Sequence, residues 1–347
     1  MIQFNKTSII FIILILTNIY IMAQTESKEL VKHLKYQKFQ NEFGYLPKSD
    51  GNDLHKIRSR MLQGIYRNQK NEYSYCNYID SNDCYINFMK NERLNNAATE
   101  EHKKIINRGR LTDEKRLCQN LLSSQPLAFN IFLPLKWDNY ELATEVFIEL
   151  FPFLEIQKIT DIKLEYVPGD ENGKENRLIT TDKSCFDIFI EFTNTNNAKS
   201  SIGIEAKYTE TFSNTDFNKA TGDKKERYIT AISKYNQQFD KKYTEKYLNP
   251  TYNQLFRNQL IVEEVKQKTD YQNCIQIVLF SAEDTKCVDA IKGFKEMVKL
   301  KNSFADLTIE QILKKLIEND TDNKRKELFN QVYDRYCNYQ KLQPYMD

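Results

Sequence analysis

Two stretches near the middle of the chain, Ser184–Phe192 and Ser201–Tyr208, constrain its fold most tightly. From Cys185 to Phe192 every even position of the first is apolar (Phe186, Ile188, Ile190 and Phe192), and Ile204, Ala206 and Tyr208 continue that parity in the second. Strand side chains alternate between faces, so each stretch reads as a strand that buries its even positions. The polar segment Thr193–Lys199 joins them. A hairpin turning about Asn196 sets Asp187 opposite Glu205, with Lys207 one diagonal step away on the same polar face. Directly opposed Cβ atoms lie about 4.5–5.5 Å apart. Two carboxylates so close repel one another unless something compensates.

A hard dication compensates well, because Mg²⁺ takes oxygen ligands from one or two carboxylates, water and phosphate. The adjacent Lys207 ammonium can hold an attacking water and offset charge on a transferring phosphoryl group. The trio therefore points to metal-assisted phosphodiester hydrolysis. Asp, Glu and Lys are also the ordinary occupants of a wet hairpin face, and short patterns recur by accident. The surrounding elements have to decide.

Upstream, Asn139–Phe151 reads as an amphipathic helix, with Leu142, Val146 and Leu150 at helical spacing. Its glutamates line a neighbouring stripe, and Glu145, with Glu141 behind it, is expected to add a third metal-binding carboxylate. Thr160–Val167 alternates as a strand with Ile162, Leu164 and Tyr166 on one face. Leu121–Leu135, broken by Pro126 and Pro134, reads as short packed turns. A polar helical region spans roughly 219–266, Cys274–Ser281 reads as a buried strand, and residues 284–299 and 308–339 read as helices. From 139 onward the order is helix, three strands, helix, strand, helix. Gly203 is one of only nine glycines, and a glycine inside a strand often marks a close approach. Glu165 and Glu210 are candidate outer carboxylates beside the trio. Gln254 and Arg257, three residues apart, share a helix face, from which Arg257 can reach a phosphate.

Composition excludes more than it selects. Mean hydropathy of −0.65 and 28% charged residues fit a soluble chain. Residues 27–118 carry 18 Lys and Arg against 12 Asp and Glu, a modest basic excess that suits a polyanion or a solvated helical surface. Seven scattered cysteines without a CxxC pair, and three histidines all before residue 103, do not support a zinc site. The odd cysteine count reads most simply as reduced thiols. Cys185, without a histidine near it in sequence, reads as an inert packed thiol. Residues 1–25 hold an apolar run after Lys6 that resembles a secretory signal peptide. Met22 opens a normal polar start, so a cytoplasmic protein beginning there is the expectation, with export as its alternative.

With these residues in view, a resemblance can be stated. Ser123-Ser-Gln-Pro-Leu-Ala-Phe-Asn130, Leu133-Pro-Leu135, Phe186-Asp-Ile-Phe-Ile190, Ile202-Gly-Ile-Glu-Ala-Lys-Tyr-Thr-Glu210 and Gln254-Leu-Phe-Arg-Asn-Gln-Leu260 together resemble a family of restriction endonucleases within the PD-(D/E)XK superfamily. The resemblance spans roughly residues 30–300, with Phe186 where the superfamily name has proline. It implies an α/β restriction-endonuclease-like core behind a helical N-terminal region. The expected layout is a leader at 1–25, helices at 26–120, the core at 121–302 and C-terminal helices at 303–347. It further implies Asp187 and Glu205 as metal-binding catalytic carboxylates, Lys207 as the catalytic lysine, and functional weight on Glu210, Gln254 and Arg257. Mg²⁺ or Mn²⁺ is the expected cofactor and DNA the expected substrate, with a second copy of the chain as a further partner and no small-molecule cofactor. The rival expectations are a nuclease-fold protein that binds DNA or a partner without cutting, and an exported protein of unrelated function.

Overall fold

The computed structural model describes residues 35–44, 46, 50–51, 53–69, 78–79, 87–109, 115–169, 184–220 and 223–346. The leader, most of the Tyr73–Lys90 stretch and most of the turn after Pro168 lie outside the described residues. Strands β1 (Ile156–Tyr166), β2 (Phe186–Asn194), β3 (Lys199–Ala206), β4 (Asn273–Phe280) and β5 (Phe304–Thr308) form one sheet in that spatial order. The first three pair antiparallel and the last three parallel. The β2–β3 register sets Phe189 against Gly203 and Ile188 against Ile204, the register that a turn about Asn196 requires. That turn is held by the Asn194 side chain, whose oxygen accepts from the Asn196 and Ala198 amides at 3.1 and 2.8 Å.

Helices cover both faces. Ile188, Ile190, Ile202 and Ile204 join Ile275, Ile277 and Leu279 in the main core. The N-terminal helices α1 (Tyr36–Phe43), α2 (Leu54–Gln69) and α3 (Glu92–Asn107) precede α4 (Ser124–Phe132) and α5 (Glu141–Leu150). After β3 come α6 (Asp223–Lys234), α7 (Thr244–Leu248), α8 (Asn253–Lys268) and α9 (Thr285–Met297), and after β5 come α10 (Ile309–Asn319) and α11 (Asn323–Tyr336). Helices α4, α5, α10 and α11 pack on the main core, so the C-terminal helices share it with the sheet. The opposite face is covered by α8 and α9, with Val262 in one apolar cluster with Phe189 and Phe294 in another with Val278. A parallel β3–β4 connection must cross over the sheet, and a helix in that crossover buries a face. The polar side of the hairpin is therefore not an open wet face: Glu205 is 3% and Lys207 7% exposed, and Asp187 is half-buried.

Other expectations need correction. Residues 124–132 form a helix rather than turns, because Ser123 caps it by accepting from the Gln125 amide at 3.2 Å. Pro126 sits in its first turn, where a missing N–H costs nothing. The single polar helical region is broken into α6, α7 and α8. Strand β5 is too short and too polar to announce itself by alternation. In β1, Ile162 and Leu164 enter the main core but Tyr166 turns to the other face. Glu165 between them has φ +48°, a left-handed conformation that breaks the alternation. Cys118 is disulfide-bonded, against the expectation of reduced thiols; its partner is not among the described residues, where Cys185, Cys274, Cys287 and Cys337 are free. Among the described residues no helix is long and apolar enough to cross a membrane.

Gly203 marks a close approach, made by a side chain of the same hairpin. Phe186 leaves the even face and packs its ring over Gly203, where an added Cβ would lie 2.4 Å from a ring carbon. Gly203→Ala should therefore destabilise the fold by about 1–3 kcal/mol, the usual cost of overpacking. Combining it with Phe186→Leu should recover part of that loss. Denaturant midpoints of the two variants measure this; an unchanged midpoint for Gly203→Ala would mean that the ring moves aside freely.

Candidate active site

The site forms where the β2–β3 ladder ends. Ile188–Ile204 is its last pair, and the next β3 amide on that side, of Ala206, donates to Asp187 Oδ2 at 2.7 Å. A side-chain carboxylate thus replaces a strand carbonyl as acceptor. On the other side the Lys207 amide donates to the Leu279 carbonyl at 2.7 Å and keeps β3 on β4. Lys207 Nζ lies 2.9 Å from Glu205 Oε1 and 5.7 Å from the centre of the Phe212 ring. Helix α8 supplies two more donors to Glu205, Gln254 Nε2 at 2.6 Å and Asn258 Nδ2 at 2.8 Å.

Charge in this site is far from neutral balance. Burial, then the Glu205 and Glu165 carboxylates, push the Asp187 carboxyl well above its ordinary value, against the opposing pull of Lys207 and the Ala206 amide. Burial works to strip the Lys207 proton, but Glu205, Asp187 and Glu210 outweigh it and hold the ammonium above its ordinary value. Glu165 is raised by burial, against hydrogen bonds from Gln125 and Cys185, with Glu205 adding to the rise. Gln125 Nε2 lies 3.0 Å from Glu165 Oε1, and Cys185 Sγ 3.4 Å from Oε2.

The remaining candidates separate clearly. Glu145 is exposed on α5, whose buried residues Leu142, Ala143, Val146 and Phe147 pack on the main core. The acids lie on the opposite side of the sheet, so the expected third carboxylate does not come from Glu145, nor from the exposed Glu141. The acid brought to Asp187 and Glu205 is Glu165. Glu210 accepts from the Ser124 amide at 2.8 Å and from the Tyr208 and Thr209 amides at 3.3 Å. It ties the β3 exit to the start of α4, where a negative charge suits the helix dipole. Gln254 orients Glu205. Arg257 donates to Ser184 Oγ at 2.6 Å, three residues before Asp187. Asn258 and Gln125 had no role in the sequence reading. Asn258 sits four residues after Gln254 on the same helix face, a usable signal, whereas nothing local connects Gln125 to Glu165.

Among the described residues no three acids or other ligands stand ready as a metal cluster; Glu205 already accepts from Lys207, Gln254 and Asn258. The chemistry still suits a hard dication, since the nearby donors are carboxylate oxygens with a surplus of negative charge. Gln125 Oε1 and Gln254 Oε1 are in addition buried without a partner, two acceptors that water ligands of a cation would satisfy.

The raised Asp187 carboxyl has a consequence for stability. A carboxyl whose folded value exceeds its unfolded one costs stability as pH rises between the two, because the folded chain then holds the extra proton. Without divalent cations, Asp187→Asn should melt higher than the parent at neutral pH, and the gap should close as pH falls towards the ordinary aspartate range. Thermal melts in EDTA across that range check this; a variant less stable at every pH would show that the charge on Asp187 carries no penalty.

The model of the PD-(D/E)XK nuclease superfamily matches residues 50–338. Comparison with curated proteins gives no match, nor does comparison with solved structures. The matched span takes in α2, the acids at the end of the hairpin and the helices that bury the sheet, and on this evidence the chain belongs to the PD-(D/E)XK nuclease superfamily.

Proposed function

We propose that the chain is a divalent-metal-dependent nuclease that hydrolyses DNA phosphodiester bonds, acting as an endonuclease of restriction or defence type. The observation that supports it is the juxtaposition of Asp187, Glu205 and Lys207 at the open end of two paired strands. Asp187 and Glu205 would hold Mg²⁺ or Mn²⁺, with Glu165 as a further carboxylate whose charge both of them feel. When bound, the cation supplies Lewis-acid polarisation of the phosphoryl group and a more acidic water. Glu205 is oriented for this by Gln254 and Asn258. Lys207, kept protonated by the acids around it, places its positive charge where the transferring phosphoryl group gains negative charge. Arg257, which reaches Ser184 just before β2, is assigned to a backbone phosphate. The intact trio argues against a DNA-binding protein that has lost catalysis. Cutting at palindromic sites would suit a homodimer.

A second reading concerns compartment. Disulfides persist in oxidising environments, so the bond at Cys118 favours export over the cytoplasm for a nuclease otherwise expected to start at Met22. The mature N-terminus decides it: Met22 supports the cytoplasm, and Gln24 or Thr25 supports export.

Purified protein should nick plasmid DNA with Mg²⁺ and stop with EDTA. Lys207→Ala should lose cleavage by a factor of about 10²–10³, the scale for a charge aimed at a transition state, while DNA binding in Ca²⁺ stays near the parent, since phosphate affinity is spread over many contacts. Extra metal should restore part of the cleavage lost in Asp187→Ala and none of that lost in Lys207→Ala. Parent-like cutting by Lys207→Ala would remove the central assignment.

A further inference from the structure

Tyr208 follows Lys207 directly and is fully buried, and it is gripped by a helix more than a hundred residues earlier in the chain. His55, Ser59 and Gln63 recur every four residues on α2 and so share one of its faces. His55 Nε2 lies 2.7 Å from the Tyr208 carbonyl. A carbonyl only accepts, so His55 is the donor there. Gln63 Nε2 donates to Tyr208 Oη at 3.1 Å, and the His55 ring meets the Tyr208 ring edge-on at 6.3 Å. Ser59 Oγ, 2.8 Å from Tyr339 Oη, closes the cluster against the C-terminal segment.

The geometry matters because of what lies on the other side of Lys207. Its amide is held by the Leu279 carbonyl, and the carbonyl of the very next residue is held by His55. The two-residue segment that projects the ammonium is thus pinned at both ends, once by the sheet and once by α2. With the second hold lost, the buried Tyr208 carbonyl would have no partner from α2 and would move to find one. We propose that His55 is a positioning residue for Lys207, so that the N-terminal helix α2 completes the active site. This rests on the assignment of Lys207 to catalysis made above. An ordinary satisfied core histidine would contribute to stability and nothing else, and the two cases differ in what can be measured.

The test compares His55→Leu, which fills the space without a donor, with His55→Gln, whose amide N–H reaches about as far as Nε2. His55→Asn, too short to reach the carbonyl, serves if the leucine variant does not fold. In plasmid cleavage below the melting temperature, His55→Leu should lose about 10–100-fold in kcat, the cost of a slight misplacement of a reacting group, with KM and DNA binding in Ca²⁺ near the parent. His55→Gln should keep most of kcat. Independently of cleavage, amide hydrogen exchange over residues 205–210 should quicken in His55→Leu and not in His55→Gln. Unchanged kcat and exchange in His55→Leu would overturn the proposal, as would equal losses in the leucine and glutamine variants. A parent that never cuts would instead remove the nuclease assignment, and the exchange comparison would still decide whether α2 holds the segment.

Discussion

An ion pair buried under a helix is the condition the rest of this structure has to meet. Taking a carboxylate and an ammonium out of water costs several kcal/mol for each, and their mutual attraction offsets that only with further hydrogen bonds around them. Lys207 and Glu205 sit under α8, and that helix has to bring polar groups to them. Gln254 and Asn258, one turn apart on this helix, are the groups that meet Glu205. The helix is therefore both the lid that dries the site and the source of the amides that make dryness tolerable. The crossover that a parallel strand pair demands is what puts such a helix there.

Much of the hairpin was legible in the sequence because its physics is local. Strand parity, a turn centred on Asn196 and the rule that opposed side chains share a face were sufficient to bring Asp187 to Glu205. What failed was what depends on the rest of the fold. Whether the polar face of the hairpin met water or α8 could not be read from the strands themselves. Glu145 looked well placed because its helix precedes β1, but a helix next in sequence can pack on either face, and this one packs on the far side. Phe186 and Tyr166 broke parity through contacts with Gly203 and through the backbone of Glu165, neither of which periodicity records. Gln125 and His55 come from segments whose distance in sequence hides them completely.

Buried polar groups without acidic partners recur away from the acids as well. Arg335, 1% exposed, is met by Gln63 Oε1 and the carbonyl and side-chain oxygens of Asn87, with its guanidinium over the Tyr66 ring at 4.3 Å. A guanidinium is more weakly hydrated than an ammonium and stacks on aromatic faces, which makes neutral company bearable. Gln63 thereby joins this cation to Tyr208, and α2 links α11 to the end of β3. The N-terminal helices are part of the structure that carries the chemistry, consistent with a family match that begins at residue 50.

The left-handed Glu165 also bears on how β1 finds its alignment against β2. A strand that alternates without interruption can slide by two residues against its neighbour and still present apolar side chains to the core. In β1 the alternation, already shifted by irregularities between Ile156 and Asp161, is reversed again at Glu165, so Ile162 and Leu164 fit one face while Tyr166 fits the other. Sliding β1 along β2 would carry that reversal away from Phe186, the one place where β2 has a matching irregularity. The defect acts as a stop, and Glu165 and Asp187, on the two strands it aligns, inherit one alignment rather than a choice among several.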